Sequence, residues 1–368
     1  MSGIYIHIPF CRQACHYCNF HFSTSLRKKD ALLLAIEKEI ELSQNNNEKI
    51  ATIYFGGGTP SILEVNDIDS VLKKVFTGFD VLNSAEITLE ANPDDITEEK
   101  LKGWKATGIN RLSIGIQSFF EEDLQWMNRA HNADQAFNSL QLAQKYFNNI
   151  TIDLIYGVPG LTNERWKQNV ETAVSLGITH LSCYALTVEP RTPLHKLIRE
   201  QKKSSVEQEL QSEQFLLLMN WLQEARYEHY EISNFAKPGF RSKHNSSYWQ
   251  GKKYWGFGPG AHSYSGKERM WNVANNQKYI DSISKGIIPF EKETLTEVQK
   301  FNEAVMISLR TIEGIDLSRF DEREVKYLTT SAQKFIQQNL LVLSDNKLRL
   351  TNDGKLFADG IAAYLFKD

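Results

Sequence analysis

The chain has 368 residues, 41% of them hydrophobic and 24% charged, with a formal net charge of -3. These proportions exclude a disordered chain and suit one large domain with a smaller one beside it. The two signs of charge are well mixed, so no broad basic face for nucleic acid is expected.

Short apolar, β-rich segments alternate with helical patterns through the first half of the chain. Ile4–Ile8, Ala51–Phe55, Ala85–Glu90, Arg111–Ile116, Ile150–Ile155 and His180–Leu186 are predicted strands. Amphipathic stretches lie between them at Ala31–Glu41, Ile68–Phe76, Glu98–Ala106, Glu121–Asn128, Asp134–Tyr146 and Arg165–Ser175. Ser118 followed by Glu121 resembles a capping box, and Gly108 sits where a helix stop is expected. Successive strand–helix units imply an α/β fold, a parallel sheet with right-handed crossovers curled into a partial (β/α)6 barrel. Such a barrel leaves a lateral opening wide enough for a large planar ligand.

The regularity fades near residue 195. Ser204–Arg226 is a long helical pattern with an apolar stripe at Phe215, Leu216, Met219 and Leu222, and an aromatic, glycine-rich stretch from Tyr227 to Tyr264 follows. Helical patterns resume near Leu295 and end in Leu340–Leu350, where two apolar runs flank Ser344-Asp345-Asn346 as in a short hairpin. The expected domains are a barrel over 1–195, a connecting segment over 196–290, and a smaller, mainly helical, winged-helix-like C-terminal domain over 291–368. With no concentration of basic charge, that last module is expected to cover the barrel mouth rather than to bind DNA. No apolar run approaches the roughly 18 residues of a membrane helix. His7 and Pro9 break the short Ile4–Phe10 run, so no signal peptide is expected and the setting is expected to be cytoplasmic.

Three of the four cysteines, Cys11, Cys15 and Cys18, fall within eight residues, while Cys183 stands alone in an apolar stretch as a core residue would. A tight trio suits a metal site better than a disulfide scaffold. Thiolates are the usual ligands of iron–sulfur clusters, and three leave one iron of a four-iron cube open. Zinc, completed by His16 or His21, and three unrelated thiols are the alternatives. Downstream of the second strand, Phe55-Gly56-Gly57-Gly58-Thr59-Pro60 is either a tight turn or a loop whose backbone approaches a ligand closely.

The run YIHIPFCRQACHYC resembles the opening of the radical S-adenosylmethionine family, whose CxxxCxxC loop follows the first barrel strand. It is closer still to the branch that contains oxygen-independent coproporphyrinogen III dehydrogenase and its haem-chaperone relatives. Leu309–Asp316 and Leu348–Gly354 resemble the two ends of that branch's C-terminal domain, so the likeness spans nearly the whole chain. The resemblance implies a [4Fe–4S] cluster on Cys11, Cys15 and Cys18, with S-adenosylmethionine chelating the open iron. It implies that Gly57, Gly58 and Thr59 contact the methionine amino group and that Tyr17 lies beside the adenine. Tyr5, Glu90, Gln117, Arg129 and Asp153 would complete the cofactor site. A carboxylate suits ribose hydroxyls, an arginine fork suits a carboxylate, and most of these residues sit at strand ends where barrel sites form.

Two positions distinguish members of the branch. The resembling dehydrogenases carry a further cysteine two residues beyond the third, where this chain has Phe20, and an aromatic ring cannot replace a thiolate. His244-Asn245-Ser246-Ser247-Tyr248-Trp249 matches the HNxxYW pattern associated with haem binding in the chaperones. Imidazole is a suitable axial donor and aromatic walls suit a large apolar ring, which makes His244 the candidate haem ligand, with His262 as a second. The resemblance therefore implies a haem chaperone that binds haem and transfers it to an acceptor protein. The alternatives are a radical enzyme acting on a porphyrin and an iron–sulfur electron-transfer protein. Implied partners are haem, the acceptor protein, and an electron donor for the cluster. Peripheral membrane contact would come through the acceptor, and no nucleic acid is implied.

Overall fold

The computed structural model describes residues 1–44 and 48–368. The strand–helix alternation is present as β1 (Ser2–Ile8), α1 (Lys29–Leu42), β2 (Ile50–Gly57), α2 (Val65–Gly78), β3 (Val81–Ala91), α3 (Glu98–Ala106) and β4 (Arg111–Gln117). It continues with α4 (Glu121–Met127), α5 (Ala133–Ala143), β5 (Ile150–Tyr156), α6 (Asn163–Ser175) and β6 (His180–Ala185). All six strands pair in parallel with their sequence neighbours, β1 to β6 in order. Parallel strands covered on both faces are apolar almost throughout, and β1 and β4 are buried along nearly their whole length.

The segment expected to be a connection is instead built into the sheet. After α7 (Pro193–Arg199) and α8 (Gln208–Glu224), the hairpin β7 (Glu228–Glu231) and β8 (Asn234–Ala236) joins β6 antiparallel. The chain then crosses over through α9 (Lys243–Trp249), and β9 (Tyr254–Phe257) pairs parallel with β1. Beyond β9 come β10 (His262–Tyr264), β11 (Glu268–Asn272), α10 (Asn276–Ser284) and β12 (Phe290–Thr294). The result is one twelve-stranded sheet ordered β12-β11-β10-β9-β1-β2-β3-β4-β5-β6-β8-β7, open rather than closed.

Its apolar core runs from Ile4 to Ile283 and holds Trp104, Trp166 and, on β6, Cys183. A second core, from Phe301 to Leu365, belongs to α11 (Glu297–Leu309), β13 (Ile315–Asp316), α12 (Glu322–Gln337), β14 (Leu341–Ser344), β15 (Lys347–Leu350), α13 (Asn352–Lys355) and α14 (Ala358–Tyr364). The expected hairpin is β14–β15, turned by Asp345 and Asn346, both at positive φ. This second domain docks on β7: Ile232 N–H donates to Arg310 O at 3.0 Å and Ile312 N–H to Tyr230 O at 3.1 Å.

One expectation fails locally. Ser118 does not cap α4, whose N-cap is Phe120. Its hydroxyl donates to Asp123 and accepts from Phe120 N–H, so it braces the turn before the helix.

The edge beyond β1 is tied to α1 by a buried carboxylate. Glu39 accepts from Gly258 N–H at 2.8 Å, from Asn272 Nδ2 at 2.6 Å and from the Tyr279 hydroxyl. Burial raises its pKa to about 7, against the opposing pull of these donors. A folded-state pKa above the unfolded value of 4.5 means that the stability contributed by the proton is full below pH 4.5 and lost as pH rises through 7. Across that window Glu39→Gln should flatten the fall in unfolding free energy by on the order of 3 kcal/mol. Urea titrations of both proteins over this pH range check it, and parallel profiles would refute it.

Candidate cluster and cofactor site

The cysteine loop leaves β1 after Ile8 and is held on both sides. Cys11 N–H donates to Ser23 O at 3.1 Å, and Ser23 N–H donates to Pro9 O at 2.8 Å. The Arg12 guanidinium reaches Asp95 at 2.7 Å. Across the loop, His16 N–H donates to Met127 O, and Asn128, which ends α4 in the left-handed conformation, donates its amide to Ala14 O at 2.8 Å. Cys11, Cys15 and Cys18 are thereby half-buried on the wall of a cavity of about 1050 Å³.

Their chemistry fits a polynuclear cluster. Among the described residues, no group of three metal-ligating side chains converges as ligands of one zinc ion would. Three thiols that line one cavity and lie within electrostatic reach of one another match the needs of an iron cube. Burial pushes the Cys11 thiol up to about 11, partly offset by a hydrogen bond with Thr59, and burial also raises Cys18. Such thiols need a bound cation to become thiolates, and iron supplies it.

The glycine loop closes the inner side of the cavity. Gly57 N–H donates to Glu90 Oε2 at 3.2 Å, Gly58 N–H to Ile8 O at 2.8 Å and Thr59 N–H to Phe10 O at 2.7 Å. These bonds commit the loop's N–H groups, so a ligand ammonium would be received by carbonyl oxygens rather than by donors. Gly57 has a φ of 112°, and a Cβ at Gly58 would stand 2.6 Å from Phe10 O, so both positions require glycine. Glu90 also accepts from the Tyr54 hydroxyl at 2.8 Å. Burial, helped by the nearby Asp153 charge, raises its pKa to about 7 although the Tyr54 bond opposes this.

Gln117, Arg129, Asp153 and Tyr17 line the same cavity. Arg129 donates to Asn92 Oδ1 at 2.8 Å, to Gly115 O at 2.9 Å and to Cys15 Sγ at 3.3 Å, and its buried Nε has no partner. That orphaned donor is what a ligand carboxylate would satisfy. Burial lifts Asp153 to about 6 against a hydrogen bond from Ser182. Gln117 adopts a φ of 66° where β4 breaks register with β5, a conformation costly for a residue with a side chain.

Two expected site residues lie behind this wall rather than on it. Tyr5 stacks on Tyr54 at 6.2 Å between centroids, and its hydroxyl meets His7 Nδ1 at 3.2 Å. His244 is 1% exposed, with Nδ1 at 2.8 Å from Thr52 Oγ1 and Nε2 at 2.8 Å from the Tyr248 hydroxyl. Its ring stacks on Tyr54 at 4.9 Å, and burial holds it neutral, with a pKa of about 3. The reason is α9, whose first N–H groups at Lys243 and His244 dock on the Glu86 carboxylate and press the ring against β2. Neither ring nitrogen is free, so the expected axial donor serves here as a brace beneath Tyr54 and Glu90. His262 is exposed on β10, beside Trp271. Sequence reasoning missed Asn92, which positions Arg129, and the outer wall formed by Tyr184, Arg310 and Lys355. Asn92 was findable in the ITLEANP strand end; the outer wall depends on domain docking.

An open, curved parallel sheet with this cysteine loop at its first strand end is a radical S-adenosylmethionine scaffold. Residues 5–173 match the model of the Radical SAM superfamily, and residues 295–357 match that of the HemN C-terminal domain. The heme chaperone HemW of Bacillus subtilis is 35% identical over 98% of each chain. That of Mycobacterium tuberculosis is 32% identical over 99% of this chain and 94% of its own. Among solved structures, coproporphyrinogen III oxidase (HemN) from Escherichia coli covers 100% of this chain and 90% of its own, with a TM-score of 0.85 at 23% identity, a likeness of fold. The chain belongs to the radical SAM superfamily and, within it, to the family of the HemW heme chaperones. A [4Fe–4S] cluster and S-adenosylmethionine are the cofactors of that superfamily.

Replacing Gln117 by glycine separates strain from binding. Gln117→Gly should raise the unfolding free energy by about 1 kcal/mol by relieving the left-handed backbone, and weaken S-adenosylmethionine binding. Thermal melts and calorimetric binding to cluster-loaded protein measure the two effects. A loss of stability would show that the side chain supports the fold instead.

Proposed function

We propose that this protein binds haem and passes it to an acceptor protein, using the cluster and S-adenosylmethionine site as part of its scaffold. The observation that carries this reading is near-full-length similarity to proteins named heme chaperones, over 98% of the chain. Phe20 supports it: the position two residues beyond the third cysteine holds an exposed ring, without the extra thiol of the resembling dehydrogenases. The cavity, at about 1050 Å³, is at the upper end of the roughly 300–1,000 Å³ of ligand sites and accommodates a tetrapyrrole beside a nucleoside cofactor.

In this reading Cys11, Cys15 and Cys18 hold the cluster. Gly57, Gly58, Thr59 and Glu90 receive the methionine and ribose polar groups, Arg129 meets the carboxylate, and Gln117, Asp153 and Tyr17 complete the wall. Tyr5 and His244 set Tyr54 from behind. When bound, the reduced cluster supplies an electron able to cleave the sulfonium bond. This chain's own residues bind and orient the cofactors and exclude water. Residues 1–195 form the barrel proper, 196–290 its two sheet extensions and 291–368 the cover. A cytoplasmic reductase would supply the electron, and the acceptor would bring the protein to a membrane surface. No helix among the described residues is long and apolar enough to cross a membrane.

Anaerobic titration of the reconstituted protein with haem, followed by absorbance, should saturate near one equivalent. Tetrapyrrole, reduced cluster and S-adenosylmethionine together should give no substrate-dependent 5′-deoxyadenosine. Failure to saturate ends the chaperone reading, and stoichiometric deoxyadenosine with a modified porphyrin replaces it with a radical enzyme. Replacing all three cluster cysteines by alanine should abolish the four-iron absorbance; its persistence would move the cluster elsewhere.

A further inference from the structure

The outer half of the cavity is chemically unlike the inner half. Its walls include Tyr156, Tyr184 and Leu186 on the barrel, Phe215 on α8, Phe20 on the cysteine loop and Phe357 on the second domain. Phe20 and Phe357 are 68% and 55% exposed, large apolar rings facing open space. Such surface suits a flat apolar ligand.

One cation lies among these rings without a counter-charge. Lys355, at the end of α13, extends its ammonium to His229 Nδ1 at 3.0 Å and to Asn352 Oδ1 at 3.2 Å. Both partners are neutral. Burial holds His229 uncharged, with a pKa of about 3, and its Nε2 is 3.0 Å from Ile232 O. Nε2–H therefore donates to that carbonyl, and Nδ1 is left to accept from the lysine. No carboxylate among the described residues pairs with Lys355. The neighbouring Arg310 differs, because Glu231 and Asp359 each accept from it at 3.0 Å. Burial lowers Lys355 to about 8, the mark of an ammonium that lacks an anion. A partly buried charge with only neutral partners costs stability, and an anionic ligand would remove that cost. Lys355 shares no hydrogen bond or ion pair with Glu90, Gln117, Arg129 or Asp153, so its anion is assigned to a ligand other than S-adenosylmethionine.

We propose that Lys355 is the carboxylate anchor of a tetrapyrrole lying in the outer cavity, pairing with a propionate while the aromatic walls hold the ring. The assignment rests on the haem reading and names the site where haem sits, away from the closed His244 pocket. Planar apolar ring and peripheral carboxylate are the two chemical features this surface complements.

The test changes the ligand and the protein together. Ferric haem and its dimethyl ester are titrated in the same detergent micelles into wild type, Lys355→Met and Lys355→Arg, with S-adenosylmethionine binding measured alongside. Wild type should prefer haem to the ester by about tenfold, the scale of a charge-assisted hydrogen bond. Lys355→Met should bring haem down to the level of the ester and leave ester and S-adenosylmethionine binding unchanged. Lys355→Arg should keep a preference for haem. Equal weakening of haem and ester in Lys355→Met would show a packing role and overturn the assignment. So would an intact preference, or a changed haem spectrum marking Lys355 as an iron ligand. Wild type that binds haem without preferring it to the ester refutes the anchor alone, whereas wild type that binds neither removes the haem reading and the anchor with it.

Discussion

Two backbone hydrogen bonds organise the site. Gly58 N–H to Ile8 O and Thr59 N–H to Phe10 O splice the glycine loop onto the chain leaving β1. They set the approach of the two loops so close that a methyl group at Gly58 has nowhere to go. The cysteine loop and the glycine loop are thus placed by main-chain geometry. Side chains then refine it, with Glu90 drawing Gly57 inward and Tyr54 steadying Glu90. Because the splice is between neighbouring parallel strands, the barrel needs no closure to build the site, and the open side stays free for a larger ligand.

Much of this was legible in the chain itself. The six parallel strands stand out because strands buried on both faces are rich in apolar residues, as Arg111–Gln117, buried from end to end, is at Leu112, Ile114 and Ile116. Cysteine spacing, the glycine run, Glu90 and Gln117 at the ends of β3 and β4, and Asp153 midway along β5 marked the inner cavity for the same reason: they interrupt those apolar segments. The extensions of the sheet were not legible. His262–Tyr264 is three residues long and Glu268–Asn272 is polar and aromatic without alternation, so neither carries a strand signature. Their pairing is decided by what they meet in three dimensions.

The same limit explains His244. Its sequence neighbourhood of tyrosines and tryptophans suits a haem pocket as well as a packed helix. What decides between them is Glu86, more than a hundred and fifty residues earlier, which accepts the first amides of α9 and seats the helix on β2. Lys355 is the converse case. Nothing near it in the chain suggests a ligand, and it reaches the cavity because the second domain docks through Arg310, Glu231 and the strand-like contact at Ile232. Chemistry carried by one loop was visible; chemistry assembled from two domains was not.

The parallel pairing of β9 with β1 has a kinetic consequence. Gly3 finds Tyr254 as its neighbour, so the first strand made by the ribosome keeps one naked flank until more than two hundred further residues have been synthesised. Pairing across so long a stretch closes late, because the chain must surrender the entropy of a very large loop first. Through that interval a strand rich in isoleucine is open to strangers. Nascent chains that have not yet made β9 are therefore a hazard for aggregation through this open edge.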